Sequence, residues 1–489
     1  MRDDEIRRQL ADANPWWAAG ATGTDPSAWT RPHRLLRDRA NYDLGYRSNV
    51  LQDVETGPIT DRLVVLTGPR RVGKSVALID AAAALCQRAD VDPRQVILVQ
   101  CDGMQARDLR RAITLSRELT KVIDRSERRR RVWLLDEVGS VKGWTSVLKL
   151  AREGDPLGDD TVVVTSSRWH ENEDVEGNLM AGRAGTSGGR RLRILLPMTF
   201  RAFLAATRPD IPLLTHVHPA ILMSAAVAEE LETVRFHVDQ FDLAWQDYLT
   251  CGGFPRAVSE YSNLGAVSEA YQRDLVAWLR ADIDPELPPE SIPILLATLS
   301  GCATSPLNVT DTAAQLGYTR DVFERRLARL TAAFATVWCP QRKERGEVVV
   351  GAQSKLYLTD PLLAWLPSRL RAGLARPNMT ALTEMAIGVS LARLIDDLDE
   401  GRWVTSDTIG FARTGSGHEV DLGPIPIPTS SGIGMTIPIE SKWVDAGWRG
   451  EAVIMERKFG AGVIATKSIL DLDNRSWAIP APMAALLLG

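Results

Sequence analysis

The 489 residues are too many for one hydrophobic core and predict about three domains. Hydrophobic residues make up 45% and charged residues 25%, with a net charge of −4, which excludes a uniformly basic nucleic-acid coat and leaves only local basic patches open. Five scattered cysteines (Cys86, Cys101, Cys251, Cys302, Cys339) form no C-x-x-C pair, which argues against a zinc site or disulfide scaffold and fits a reducing, cytoplasmic setting.

The start, "MRDDEIRRQL", lacks the apolar stretch of a signal peptide, and no apolar run approaches a membrane span. Residues 1–60 read as an arm in which Trp16 and Trp17 of "NPWW" are expected to pack on the neighbouring domain. "RLVVLTG", "QVILVQCD", "RVWLLDEV" and "DTVVVTSS" are continuous apolar strands alternating with helices, so 61–206 is expected to be an α/β core with a parallel sheet covered on both faces. The run "DRSERRRR" within it reads as a solvated helix end. The pattern is helical over 207–282, broken by "CGGFP", and the Pro-rich "DIDPELPPESIP" reads as a linker. In 283–360 two helices around Gly317, the second with an apolar stripe of Phe323, Leu327, Leu330 and Phe334, precede two strand-like pieces, which is the order of a winged helix. The last segment, 361–489, alternates helix and strand around "HEVDLG" and "IPIESKW".

The stretch Gly68-Pro69-Arg70-Arg71-Val72-Gly73-Lys74-Ser75 matches G-x-x-x-x-G-K-[ST], with a strand before and a helix after. Glycines let backbone N–H groups wrap phosphate oxygens, Lys74 meets the β- and γ-phosphates, and Ser75 is a magnesium ligand. Asp136, at the end of an apolar strand, is placed to hold Mg²⁺, and Glu137 beside it to polarise the attacking water. This adjacent pair points to the AAA+ kind of P-loop ATPase, with Thr165, Ser166 or Ser167 as γ-phosphate sensor and Ser166 favoured. Arg183, in a Gly-rich basic loop, reads either as an arginine finger toward a neighbouring subunit or as surface.

In "IPIESKW", Glu440 and Lys442 stand at i and i+2 of one strand and share a face. Asp421 lies on an earlier strand and Glu384 on the helix before it. Helix-Glu, strand-Asp, strand-Glu-x-Lys is the D…(D/E)-x-K pattern, in which Asp421 and Glu440 would hold Mg²⁺ or Mn²⁺, Lys442 would orient a water, and Glu384 would bind a second metal or its water. His418 and Glu419 are expected on the opposite, solvent face.

The chain resembles a bacterial and archaeal group of AAA+ P-loop ATPases with an uncharacterised C-terminal restriction-endonuclease-like domain. The resemblance rests on "NPWW", "LTGPRRVGKS", "WLLDEV" followed by Trp144, "AGR", "LLPMTFRAFL", "CGGFP", "KLYLTD", "EVD" and "IESKW". It implies an AAA+ core with a helical lid, a winged helix and a restriction-endonuclease-like α/β domain, with Gly252 to Pro255 in the lid near the nucleotide and assembly into oligomeric rings. Two functions are open. One is an ATP-driven machine on DNA with a metal-dependent nuclease domain. The other is an ATP-switched DNA- or protein-binding ATPase whose nuclease-like domain is inactive.

Overall fold

The computed structural model describes all residues except 26, 43, 125–127, 155–156, 170–189 and 414–416. The chain divides into two compact units, Met1–Leu195 and Leu196–Gly489, a boundary that falls inside the expected 61–206 segment. Among the described residues no helix is long and apolar enough to cross a membrane.

In the first unit the apolar runs become β1 (Arg62–Thr67), β2 (Val96–Gln100), β3 (Val132–Asp136), β4 (Thr161–Ser166) and β5 (Leu192–Ile194). They form one parallel sheet in the order β2-β3-β4-β1-β5. β1 and β4 are buried at every position, as strands covered on both faces must be. The order seats β4 between β1 and β3, with Thr67 opposite Ser166. The polar end of β4 therefore lies between the phosphate loop and the acids at the end of β3. The helices are α1 (Asp3–Ala13), α2 (Trp16–Thr22), α3 (Arg34–Tyr42), α4 (Gln52–Thr56), α5 (Lys74–Cys86), α6 (Ala106–Thr120) and α7 (Trp144–Glu153).

"NPWW" serves the sheet edge. β2 is an edge strand, with backbone groups that need partners. Asn14 accepts from Leu98 N–H at 2.6 Å and donates to Leu98 O at 2.8 Å. The indoles of Trp16 and Trp17 both donate to Val96 O, at 2.8 and 2.9 Å. One reading is corrected in this unit. Arg131 is not a solvated helix end: it is fully buried and paired with Asp124 at 2.7 Å, because a strand begins beside it.

The second unit opens with α8 (Phe200–Thr207), α9 (Ala225–Thr233), α10 (Val238–Cys251), α11 (Pro255–Leu264), α12 (Glu269–Ile283) and α13 (Ser291–Gly301). The expected linker between α12 and α13 is a packed turn: Trp278 donates to Asp282 at 2.6 Å and Arg326 to Asp284 at 3.1 Å. Then come α14 (Val309–Gln315) and α15 (Arg320–Ala332), with Phe323, Leu327 and Leu330 buried. β6 (Thr336–Cys339), β7 (Gln341–Arg342) and β8 (Lys355–Leu358) follow, with β6 antiparallel to β8.

"CGGFP" is a close-packed turn of this unit. Gly253 N–H donates to Asp360 Oδ2 at 2.7 Å, and a Cβ on Gly253 would lie 2.1 Å from Met198 O. Asp360 also caps α16 (Pro361–Leu370) through Leu362 N–H at 2.9 Å. The remainder is α17 (Met379–Leu398), β9 (Phe411–Arg413), β10 (Glu419–Val420), β11 (Pro426–Thr429), β12 (Gly432–Met435), β13 (Ile439–Lys442), α18 (Arg449–Phe459), β14 (Val463–Thr466), β15 (Trp477–Pro480) and the buried α19 (Ala481–Leu488). β13, β14 and β15 are parallel, β9 and β10 antiparallel, and a bridge from Leu422 to Ile439 joins the two sets. The Pro/Gly-rich span between Asp421 and Glu440 folds as the β11–β12 hairpin, which returns the chain to that bridge.

Candidate functional site

β1 ends at Thr67, residues 68–73 turn, and α5 begins at Lys74. The turn needs its glycines. Gly68 has φ +148° and a Cβ there would lie 2.0 Å from Leu195 O; Gly73 has φ +101° at the helix N-cap. Pro69 and Val72 are buried, while Arg70 and Arg71 are exposed. Lys74 is buried and arcs over the loop, its Nζ donating to Gly68 O at 2.9 Å and Pro69 O at 2.8 Å and lying 3.9 Å from Glu137 Oε1.

Ser75, one residue into α5, hydrogen-bonds Asp136. Burial raises the Asp136 carboxyl above its ordinary range, opposed by hydrogen bonds from Thr165 and Ser75. Thr165 Oγ1 donates to Asp136 Oδ1 at 2.8 Å and accepts from Glu137 N–H at 2.8 Å, so one hydroxyl holds both acids in place. Glu137 sits in the left-handed region at φ +51°, which turns its carboxylate off the strand line, and Ser167 Oγ donates to its Oε1. A hydroxyl and a buried carboxylate side by side at a helix N-terminus fit the hard-oxygen set of Mg²⁺ beside a phosphate.

Ser166, the favoured sensor, faces elsewhere. Its hydroxyl donates to Arg168 O at 2.7 Å, and a Cβ on Gly139 would lie 2.1 Å from it. Strand alternation is the reason: Thr165 and Ser167 share the acid-facing side and Ser166 has the other. Arg183 lies outside the described residues.

In the second unit Asp421 and Glu440 meet across the Leu422–Ile439 bridge. Asp421 N–H donates to Glu440 Oε2 at 3.2 Å, and Ser441 N–H donates to Asp421 Oδ2 at 3.0 Å. Burial, and then the charge of Asp421, push the Glu440 and Glu384 carboxyls above the ordinary carboxylate range. Lys442 lies 3.9 Å from Glu440 Oε1 but 3.1 Å from Glu451 on α18, and is 40% exposed.

The cation inside the cluster is a different lysine. Lys355, fully buried at the start of β8, puts Nζ 2.8 Å from Glu384 Oε1, 2.9 Å from Asp421 Oδ1 and 2.7 Å from Glu419 Oε1. Tyr357 OH donates to the same Glu384 oxygen at 2.7 Å. The expectation for Glu419 is thereby corrected: two positions before Asp421, it shares that residue's face, whereas His418 is exposed. A signal for Lys355 was present in "KLYL", a charged residue two positions from a tyrosine in an otherwise apolar strand. Among the described residues no group of three His, Cys, Asp or Glu side chains is arranged to hold a metal. The cluster as built does not fit a divalent cation, because an ammonium already sits among its carboxylates.

Residues 60–204 match the model of an AAA domain, and residues 242–371 match a domain of unknown function (DUF8612). A comparison with curated proteins finds no match. Among solved structures, a Walker-type ATPase of Pyrococcus abyssi is 15% identical, with 63% of this chain and 91% of that one covered and a TM-score of 0.36. The Aeropyrum pernix ORC1 protein in complex with DNA is 14% identical, covering 73% and 95%, TM-score 0.30. A single-substitution variant of Thermotoga maritima RuvB is 16% identical, covering 66% and 96%, TM-score 0.25. Scores this low carry no argument of their own. The family match and the loop geometry carry it: residues 60–204 form an AAA-type P-loop domain.

Proposed function

We propose that the chain is an ATP-hydrolysing AAA+ protein that acts on DNA as a homo-oligomeric ring, with a hexamer as the candidate size. The observation behind the ATPase is the convergence of Lys74, Ser75, Asp136 and Glu137 at one loop, with Thr165 and Ser167 orienting the acids. Ser75 and Asp136 would hold Mg²⁺, which when bound neutralises charge on the phosphates. Lys74 exchanges its carbonyl contacts for phosphate oxygens, and the loop N–H groups and the start of α5 face the same charge. Glu137, aimed by Ser167, takes a proton from the attacking water. Lys74→Ala and Glu137→Gln are each expected to lower ATP turnover about 100-fold or more, and linear duplex DNA to accelerate the wild type. Turnover unchanged in both variants would refute the reading.

DNA contact is supported by the order α14, α15, β6, β8, that of a winged helix. Arg326 and Arg329 of α15 are spent on Asp284 and on Ile283 O, whereas Lys343 and Arg345 between β7 and β8 are exposed. The DNA-facing candidates are therefore Lys343 and Arg345 of the wing together with the exposed Arg325 of α15.

For the C-terminal part, the order α17, β9, β10, β13, α18, β14 favours a restriction-endonuclease-like fold. The metal-nuclease reading of Asp421, Glu440, Lys442 and Glu384 rests on the adjacency of the first two. Lys355 within the cluster favours the alternative, an ATP-switched binding or remodelling protein with an inactive nuclease-like domain. End-labelled DNA with Mn²⁺ separates them: cleavage lost in Lys442→Ala supports the nuclease, and no cleavage supports the alternative.

A further inference from the structure

We infer that Lys355 is a built-in cation that takes the place of a divalent metal in the carboxylate cluster and makes that cluster a tie between β8, α17 and β10. An ammonium has three protons to donate and no lone pair. Here three carboxylates from two other parts of the chain meet it: Glu384 on α17 at 2.8 Å, Glu419 on β10 at 2.7 Å, and Asp421 just after β10 at 2.9 Å. Nζ donates hydrogen bonds to Glu384 and Asp421 and forms an ion pair with Glu419, and the side chain has no solvent exposure.

The surroundings complete the enclosure. Tyr357, two positions along β8 on the same face, gives its O–H to Glu384 at 2.7 Å, and the Phe411 ring lies 5.5 Å from Nζ. Arg413 takes the other Glu419 oxygen at 3.3 Å. The second Asp421 oxygen and Glu440 Oε2 are taken by backbone N–H groups of the facing strands. Burial works against a charged lysine, but Asp421, Glu384 and Glu419 outweigh it and hold the ammonium protonated well above the ordinary lysine range.

A divalent cation at the position of Nζ would need the Glu384, Glu419 and Asp421 oxygens that the ammonium already meets, and Mg²⁺ would need them closer, at about 2.0–2.1 Å. Lysine and metal exclude each other. Lys442, on Glu451 and partly in solvent, does not compete for the position. The ATPase reading is independent of this inference and survives its failure.

The test uses the full chain, free of nucleotide, in an Asp136→Asn parent that lacks the phosphate-loop carboxylate. Free Mn²⁺ is titrated by electron paramagnetic resonance against the parent and against the parent carrying Asp421→Asn, Lys355→Ala, or both. Parent and Asp421→Asn protein should bind Mn²⁺ alike. Lys355→Ala should gain a site about tenfold or more tighter than any in the parent, and Asp421→Asn should remove it again. Mn²⁺ binding by the parent that Asp421→Asn abolishes overturns the inference, as does a folded Lys355→Ala protein with no gain. Should Lys355→Ala not fold, the parent and its Asp421→Asn variant decide alone: a difference refutes the inference, and no difference upholds it.

Discussion

At the scale of single residues, strand alternation decides which hydroxyl can serve the nucleotide. Thr165 and Ser167 reach Asp136 and Glu137, and Ser166 between them does not. A hydrogen bond to a charged group is worth roughly 1.5–3 kcal/mol, and about 1.4 kcal/mol is tenfold in rate. Ser167→Ala is therefore expected to lower the ATP turnover number by roughly 10- to 100-fold, while Ser166→Ala stays within about twofold of wild type. Equal losses would return the sensor role to Ser166. The same parity rule places Glu419 beside Asp421, a placement readable from "HEVD" by counting two positions.

At the scale of elements, two side chains satisfy backbone groups that the regular structure leaves open. Asn14 satisfies both Leu98 backbone groups on the edge strand β2. Asn14→Ala leaves them unpaired, at about 1–3 kcal/mol. Hydrogen exchange at the Leu98 amide should accelerate in that variant, and unchanged protection would mean that Asn14 is not what shields this amide. Asp360 joins the "GGFP" turn to α16, and burial, opposed by the N–H groups of Gly253 and Leu362, raises its carboxyl from 3.8 to about 6. The folded state thus prefers the protonated form. Its stabilising contribution is full below pH 3.8 and is lost as pH rises to about 6. Asp360→Asn cannot ionise. Compared by urea midpoints, wild type should lose stability relative to the variant across that interval, and parallel profiles would exclude Asp360 as the cause.

At the scale of the whole molecule, the phosphate loop belongs to one compact unit and the carboxylate cluster to the other. A ligand stabilises the state that binds it, by about 2.7 kcal/mol at 100 times its Kd. Mg-ATP at that excess should raise the unfolding transition of Met1–Leu195, followed through its own tryptophans, and Lys74→Ala should abolish the shift. A shift that survives Lys74→Ala would place nucleotide elsewhere.

The phosphate loop was legible because its chemistry is contiguous. Gly68 to Ser75 lie in one stretch, a strand before and a helix after are visible as apolar runs, and Asp136 and Glu137 end another such run. Such signals need only local periodicity and the backbone freedom of glycine. Pairings across the chain were not legible to the same degree. That Asp421 faces Glu440 depends on a hairpin of the intervening residues, and that Lys355 enters the cluster depends on how β8 packs against α17 and β10. A charge in an apolar strand reads the same in sequence whether solvent or three carboxylates receive it. By itself the sequence determined the strands, the phosphate loop and the acids. Only the tertiary structure decided which cation those C-terminal acids hold, because burial and distance set the strength of a charge pair.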